Sequence, residues 1–183
     1  MDTLSIVVIE GTTRKLRKSI HAARFIAEIG KKIEGVEITF VDPMELNLPY
    51  DGNDEDAKDP KYTEITAKAD AFFIVTPEYN HSFPGSLKRV IDSELKNYNH
   101  KPVAFAGVSD GNWGGVRAIE ALVPAVRETG LVVLSFDVQF PRVQDIFNEK
   151  GELQDEKYTK RVLRVYDELI FMAKTLKWGR ENM

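Results

Sequence analysis

The chain has 183 residues, 43% of them apolar and 30% charged, the balance of one globular domain with a full core. Lys and Arg number 25 and Asp and Glu 29, a net charge of −4, which argues against a general nucleic-acid binder, since that would need a basic face. No cysteine is present, so disulfides, thiolate chemistry, iron–sulfur clusters and cysteine-based zinc sites are excluded.

His21, His81 and His100 lack the spacing of a metal cluster, and no metal is expected. Met1-Asp2 leads into a strand-like run without a charged-then-apolar leader, so no signal peptide is expected. No apolar run approaches the ~18 residues of a membrane span. The expectation is a soluble, cytoplasmic protein without membrane or nucleic-acid partners.

Leu4 to Ile9 is an apolar run ending at Glu10-Gly11 and reads as a buried strand. Residues 11–18 follow no apolar period and read as a loop. From Ser19 a helical period appears in Ala22, Ile26, Ile29 and Ile33. Val36 to Val41 is the second strand. Residues 43–60 form a long acidic loop, and a short helix is predicted over Tyr62 to Lys68. Ala71 to Thr76 is the third strand, and Pro84 to about Asn97 the next helix. Pro102 to Val108 is the fourth strand, followed by the Gly-rich loop Ser109 to Gly115. Val116, Ile119, Val123 and Val126 mark a helix that Pro124 should kink or shift. Leu131 to Phe136 is the fifth strand. The last helix, Tyr158 to about Trp178, carries Val162, Val165, Leu169, Met172 and Leu176 on one face.

Five strands alternating with helices imply a parallel sheet covered on both sides, in one domain spanning residues 1–183. The expected architecture is a doubly wound α/β sandwich with strand order 2-1-3-4-5. In such a sheet ligands bind at the carboxyl ends, beside the switch point between strands 1 and 3. The loops at that edge are 11–18, 77–83 and 109–115, which are also the three chemically unusual stretches of the chain.

The first loop, Gly11-Thr12-Thr13-Arg14-Lys15-Leu16-Arg17-Lys18-Ser19, enters a helix N-terminus, where free N–H groups and the helix dipole favour an anion. Thr12, Thr13 and Ser19 add hydroxyls, and Arg14 and Arg17 add forked cationic donors suited to phosphate. The pattern is neither GxGxxG nor GxxxxGK[ST], so one terminal phosphate fits better than a pyrophosphate or a nucleoside triphosphate. A solvated basic loop with Ser19 as an ordinary N-cap is the alternative. In the second loop, Pro77-Glu78-Tyr79-Asn80, Pro77 fixes the backbone so that successive N–H groups can meet a flat heterocycle. Tyr79 offers a packing face and Asn80 a donor and an acceptor. A plain strand-ending turn, with Pro84 opening the helix, fits these residues equally well. The third loop, Ser109-Asp110-Gly111-Asn112-Trp113-Gly114-Gly115, lets backbone approach a ligand closely, with Trp113 either exposed or packed back on the core.

The segment PEYNHSFPGSLK resembles the PEYN-x-S-x-P-G-x-LK signature of the NAD(P)H-dependent FMN reductase family, whose members include quinone, azo-dye and chromate reductases of flavodoxin-like fold. GTTRKLR is similar to the family's GSTRxxR loop. Leu48-Pro49-Tyr50-Asp51 matches its LP-containing loop, and Ser109 with Gly114-Gly115-Val116-Arg117 its third segment. The resemblance implies FMN as cofactor, NADPH or NADH as co-substrate and a small-molecule electron acceptor. It places the phosphate on Gly11, Thr12, Thr13, Arg14, Arg17 and Ser19. It places the isoalloxazine on Pro77, Glu78, Tyr79 and Asn80, largely through backbone, with Ser109 and Gly111 approaching from the third loop. It assigns no general acid or base, because the flavin carries the chemistry. It also implies a homodimer or homotetramer with the third helix at the interface, which would draw Leu87, Val90, Ile91 and Leu95 into partner contacts. The chain departs from the family at Arg89, where Asn is usual, and at Asp92-Ser93-Glu94, where many members carry Trp. The competing functions are a flavodoxin-type electron carrier that does not oxidise NAD(P)H and a non-catalytic structural dimer.

Overall fold

A computed structural model describes residues 3–183; the reading of Met1-Asp2 lies outside the described residues. Five strands form one parallel sheet in the order β2-β1-β3-β4-β5, the order expected from the sequence. They are β1 (Leu4–Glu10), β2 (Val36–Val41), β3 (Ala71–Pro77), β4 (Pro102–Val108) and β5 (Val132–Phe140). The helices are α1 (Ser19–Gly30), α2 (Pro60–Lys68), α3 (Gly85–Asp92), α4 (Val116–Glu128), the single turn α5 (Val143–Ile146) and α6 (Lys157–Asn182).

The inner strands β3 and β4 are buried at every residue, and β1 at all but one. A strand covered on both faces has no polar side, which is why these three read as unbroken apolar runs. One core lies between the sheet and helices α1 and α6, built from Ile6, Val8, Ile26, Phe73, Val165, Tyr166 and Leu169 among others. The second lies on the opposite face, where Val7, Ile9, Phe72, Leu87, Ile91, Phe105 and Leu122 meet α2, α3 and α4. Each fully buried Leu, Ile or Phe contributes about 1.5–3 kcal/mol. The same alternation along β1 turns Glu10 to the side of Ile6 and Val8, toward α1.

Four elements differ from expectation, each for a local reason. The β5 strand continues to Phe140, past the polar Asp137 that ends the apolar run. It does so through a register shift: Val103 pairs with Val133, but Phe105 pairs with Asp137. Helix α3 stops at Asp92 instead of about Asn97. The Ser93 hydroxyl donates to the Val90 carbonyl at 2.8 Å, and the chain turns inward so that Tyr98 packs edge-on against Phe72 and meets the Tyr62 hydroxyl at 2.8 Å. The loop 43–60 is organised: Asp42 caps a 3-10 turn at Pro43–Glu45, and buried Asp59 accepts from the N–H groups of Asn47, Lys61 and Tyr62, starting α2 at Pro60. The short α5 was not predicted; it is entered through Arg142 at φ +48°.

Leu87, Val90 and Ile91 expose almost no surface that could meet a partner, whereas the expectation for the third helix draws them into partner contacts. They are buried in the chain's own core, because α3 packs its apolar side on the sheet; Leu95 is 45% exposed.

Candidate functional site

At the carboxyl edge the loops after β1, β3 and β4 surround a cavity of about 220 Å³. It is lined by Arg14, Arg17 and Ser19 from the first loop, Pro77, Glu78 and Tyr79 from the second, and Ser109 from the third. A second cavity, about 610 Å³, lies between the 43–51 segment and α3, with Thr13, Met44, Asp51 and Arg89 on its wall. Gly11, Thr12, Asn80 and Gly111 line neither cavity, and Thr13 lines only the second.

The first loop divides into outward and inward groups. Arg14 is exposed, and among the described residues its guanidinium has no ion pair. Arg17 turns inward: it pairs with Asp42, donates to the Arg14 carbonyl at 3.1 Å, and lies 3.7 Å from the Glu10 carboxyl. Ser19 is buried and donates to Glu10 Oε1 at 2.6 Å, so its hydroxyl is not the N-cap of α1; that position is held by Lys18, which makes no side-chain cap bond. Buried Thr12 shares a 3.1 Å hydrogen bond with the Tyr79 hydroxyl, which ties the first loop to the second. Gly11 is required sterically: a Cβ there would stand 2.5 Å from the Val75 carbonyl oxygen.

The second loop is a tight hairpin. Tyr79 and Ser82 exchange backbone hydrogen bonds at 2.8 and 2.9 Å, with Asn80 at φ +50° and His81 at φ +64° between them, the positive-φ pair of a type I′ turn. This corrects the expected donor pattern. The Glu78 N–H bonds the Val108 carbonyl at 3.0 Å and the Tyr79 N–H bonds Ser82, so neither N–H is left for a ring. Pro77 is the last residue of β3, paired with Val108. Glu78 Oε1 accepts from Arg117 at 2.5 and 2.7 Å, which ties the second loop to α4.

In the third loop the Ser109 hydroxyl accepts from Gly114 N–H and donates to the Gly111 carbonyl, both at 2.9 Å, and so holds the loop from within. Trp113 is 67% exposed, the outward of its two expected placements.

Glu10 was missed as a site residue. It is fully buried at the end of β1, and burial pushes its carboxyl up to about 8 against the opposing Ser19 hydrogen bond and Arg17 charge; nearby Asp42 adds to the rise. Its Oε2, Arg17 Nε and Glu78 Oε2 are buried without hydrogen-bond partners among the described residues. The available signal was the acid itself, closing an otherwise apolar strand run.

A parallel sheet in this order, with a cation, hydroxyls and an aromatic hydroxyl gathered at its switch point, defines a flavodoxin-like α/β protein with a ligand cleft at its carboxyl edge. The sequence profile of the NADPH-dependent FMN reductases matches residues 4–144, and the chain belongs to that family of oxidoreductases. It is 30% identical to a quinone reductase of Pseudomonas putida over 97% of this chain and 96% of that one. It is 32% identical to a 2-hydroxy-1,4-benzoquinone reductase of a Burkholderia species over 98% of each chain. Among solved structures it resembles the flavoenzyme NAD(P)H:(acceptor) oxidoreductase FerB of Paracoccus denitrificans, with a TM-score of 0.74, 23% identity, and coverage of 94% of this chain and 98% of that one; at this identity the likeness speaks for the fold. FMN and NAD(P)H are accordingly the cofactor and the reductant of this protein.

Proposed function

We propose that residues 1–183 form one FMN-binding domain that takes two electrons from NAD(P)H and delivers them to a small acceptor of the quinone class. The observation that carries this reading is the convergence of Arg14, Tyr79 and Ser109 from three separate loops on one cavity at the switch point. The donor set fits the cofactor: a cation without an ion pair and a helix N-terminus for the phosphate, and Pro77, Tyr79 and Val108 as a flat wall for the ring. Bound FMN would supply hydride acceptance from NAD(P)H and onward reduction of the acceptor.

The protein's own residues bind and orient. Arg14 supplies a charge-assisted bond to the phosphate. Gly11, Thr12 and Thr13 shape the loop around it, with Thr12 acting through Tyr79. Arg17 and Ser19 brace the loop from below through Glu10 and Asp42. Pro77, Glu78 and Tyr79 carry the ring-facing edge, Asn80 forms the turn that holds Tyr79 there, and Glu78 is steadied by Arg117. Ser109 and Gly111 hold the third loop against it. Quinone acceptors are favoured because two relatives matching nearly the whole chain are named quinone reductases. We also propose a homodimer or homotetramer, supported by Tyr50 and Leu95, exposed apolar residues next to the second cavity and after α3. A cytoplasmic setting, where NAD(P)H is available, suits this chemistry; among the described residues no helix is long and apolar enough to cross a membrane.

The test is stopped-flow mixing of FMN-loaded protein with NADH or NADPH, then with a benzoquinone. Bleaching of the flavin by NAD(P)H and its return on quinone addition is the expected result. Bound FMN that NAD(P)H does not bleach would instead indicate an electron carrier.

A further inference from the structure

We propose that Glu10 is a positioning residue that makes phosphate binding at the first loop proton-linked: the loop holds a phosphate monoester while Glu10 carries its proton and loosens its hold when Glu10 ionises. The inference rests on the FMN reading of the site.

Glu10 ends β1 and is fully buried beneath the entry to α1. Two groups of the phosphate loop lean on its Oε1: the Ser19 hydroxyl at 2.6 Å and Arg17 Nε at 3.7 Å. Among the described residues its Oε2 is buried with no hydrogen-bond partner, and Arg17 Nε, though near Oε1, makes no hydrogen bond. The charged groups facing it are Arg17 from the loop and Asp42 from the segment after β2, with the Gly11 backbone adding a hydrogen bond. On the β3 side its register partner is Val75, which brings no charge.

The charge count decides the behaviour. With Glu10 ionised, two carboxylates flank one guanidinium, leaving one net negative charge under a loop built to take an anion. An ionised Glu10 also draws on Ser19 and Arg17, the donors that stiffen that loop. With Glu10 protonated the cluster is neutral, and the unpartnered oxygen becomes an O–H donor. Burial favours that neutral form up to about pH 8, and a phosphate dianion nearby favours it further. Thermodynamic linkage then requires that anion binding above this range take up a proton, and that affinity fall as pH rises.

The experiment titrates wild type and Glu10→Gln with FMN between pH 7 and pH 9.5 at constant ionic strength, following flavin fluorescence. Over this range the phosphate stays a dianion, its second pKa being about 6. Riboflavin, which lacks the phosphate, is titrated in parallel. The expected result is an FMN dissociation constant that rises on the order of tenfold across the upper half of the range in wild type. It should stay flat in Glu10→Gln, and riboflavin should be flat in both. Equal slopes in wild type and Glu10→Gln, or the same slope for riboflavin, would overturn the role of Glu10 while leaving the FMN site standing. No FMN binding by wild type at any pH would overturn the site itself. If Glu10→Gln fails to fold, calorimetry of wild type with FMN at pH 8.5, in buffers of different ionisation enthalpy, decides the matter: proton uptake supports the inference and none overturns it.

Discussion

Arg14 and Arg17 look interchangeable in the string TTRKLRKS, yet they do different work. Arg17 is tied down by Asp42 and Glu10, whereas Arg14 faces the cavity without an ion pair among the described residues. Arg14→Ala should therefore weaken FMN binding by about 1.5–3 kcal/mol with little change in stability, read by flavin fluorescence and thermal melting. Unchanged affinity would show that Arg14 does not touch the phosphate. Arg17→Ala should instead lower stability by roughly 3–5 kcal/mol, because it strands the largely buried Asp42 carboxylate; urea unfolding measures this. Glu10 adds a pH signature of its own. Its folded value, about 8, lies above the unfolded value near 4.5, so the folded state holds the extra proton between the two. Unfolding stability should fall as pH rises from about 4.5 through about 8, and Glu10→Gln should flatten that slope. The residue types of this site were legible because hydroxyls, cations and an aromatic stand where strands end. Which donors are already engaged was not legible, since the partners lie far off in sequence: Asp42 for Arg17, Glu78 for Arg117 and Val108 for the Glu78 N–H.

Helix and strand identities followed from period and composition wherever an element packs one clear face or is covered on both. Helices α1 and α6 and the three central strands are of this kind. Endpoints set by tertiary partners were less legible: α3 stops where Tyr98 has to reach Tyr62 and Phe72, and β5 extends because its shifted register keeps pairing with β4 through Phe140. Asp59 lies in a stretch that reads as a solvated acidic loop, yet it fastens both that loop and α2. Asp59→Ala should cost about 0.5–2 kcal/mol in urea unfolding, the usual scale for losing an N-cap; no change would mean that Pro60 alone fixes the start of α2. Gly115 sets the third loop against β4. It has φ +78°, and a Cβ would come within 2.4 Å of the Val108 nitrogen. Gly115→Ala should push that loop off the strand and reduce FMN affinity along with stability, as seen by fluorescence titration and thermal melting.

At the scale of the whole molecule, the strand order puts three unrelated sequence segments on one edge, and neither the cleft nor the chemistry exists in any of them alone. That order was inferable from alternating strands and helices because parallel crossovers leave few alternatives. The sheet is closed off at the opposite end by α6, where Lys177 and Arg180 grip Asp70, which also accepts from the Ser5 N–H. The central claim, that this edge is an FMN site, is tested most directly by a crystal structure of the protein grown with FMN. The phosphate is expected within hydrogen-bonding distance of Arg14 at the entry to α1, with the ring against Pro77 and Tyr79. Flavin bound elsewhere, or an empty edge at saturating FMN, would contradict it.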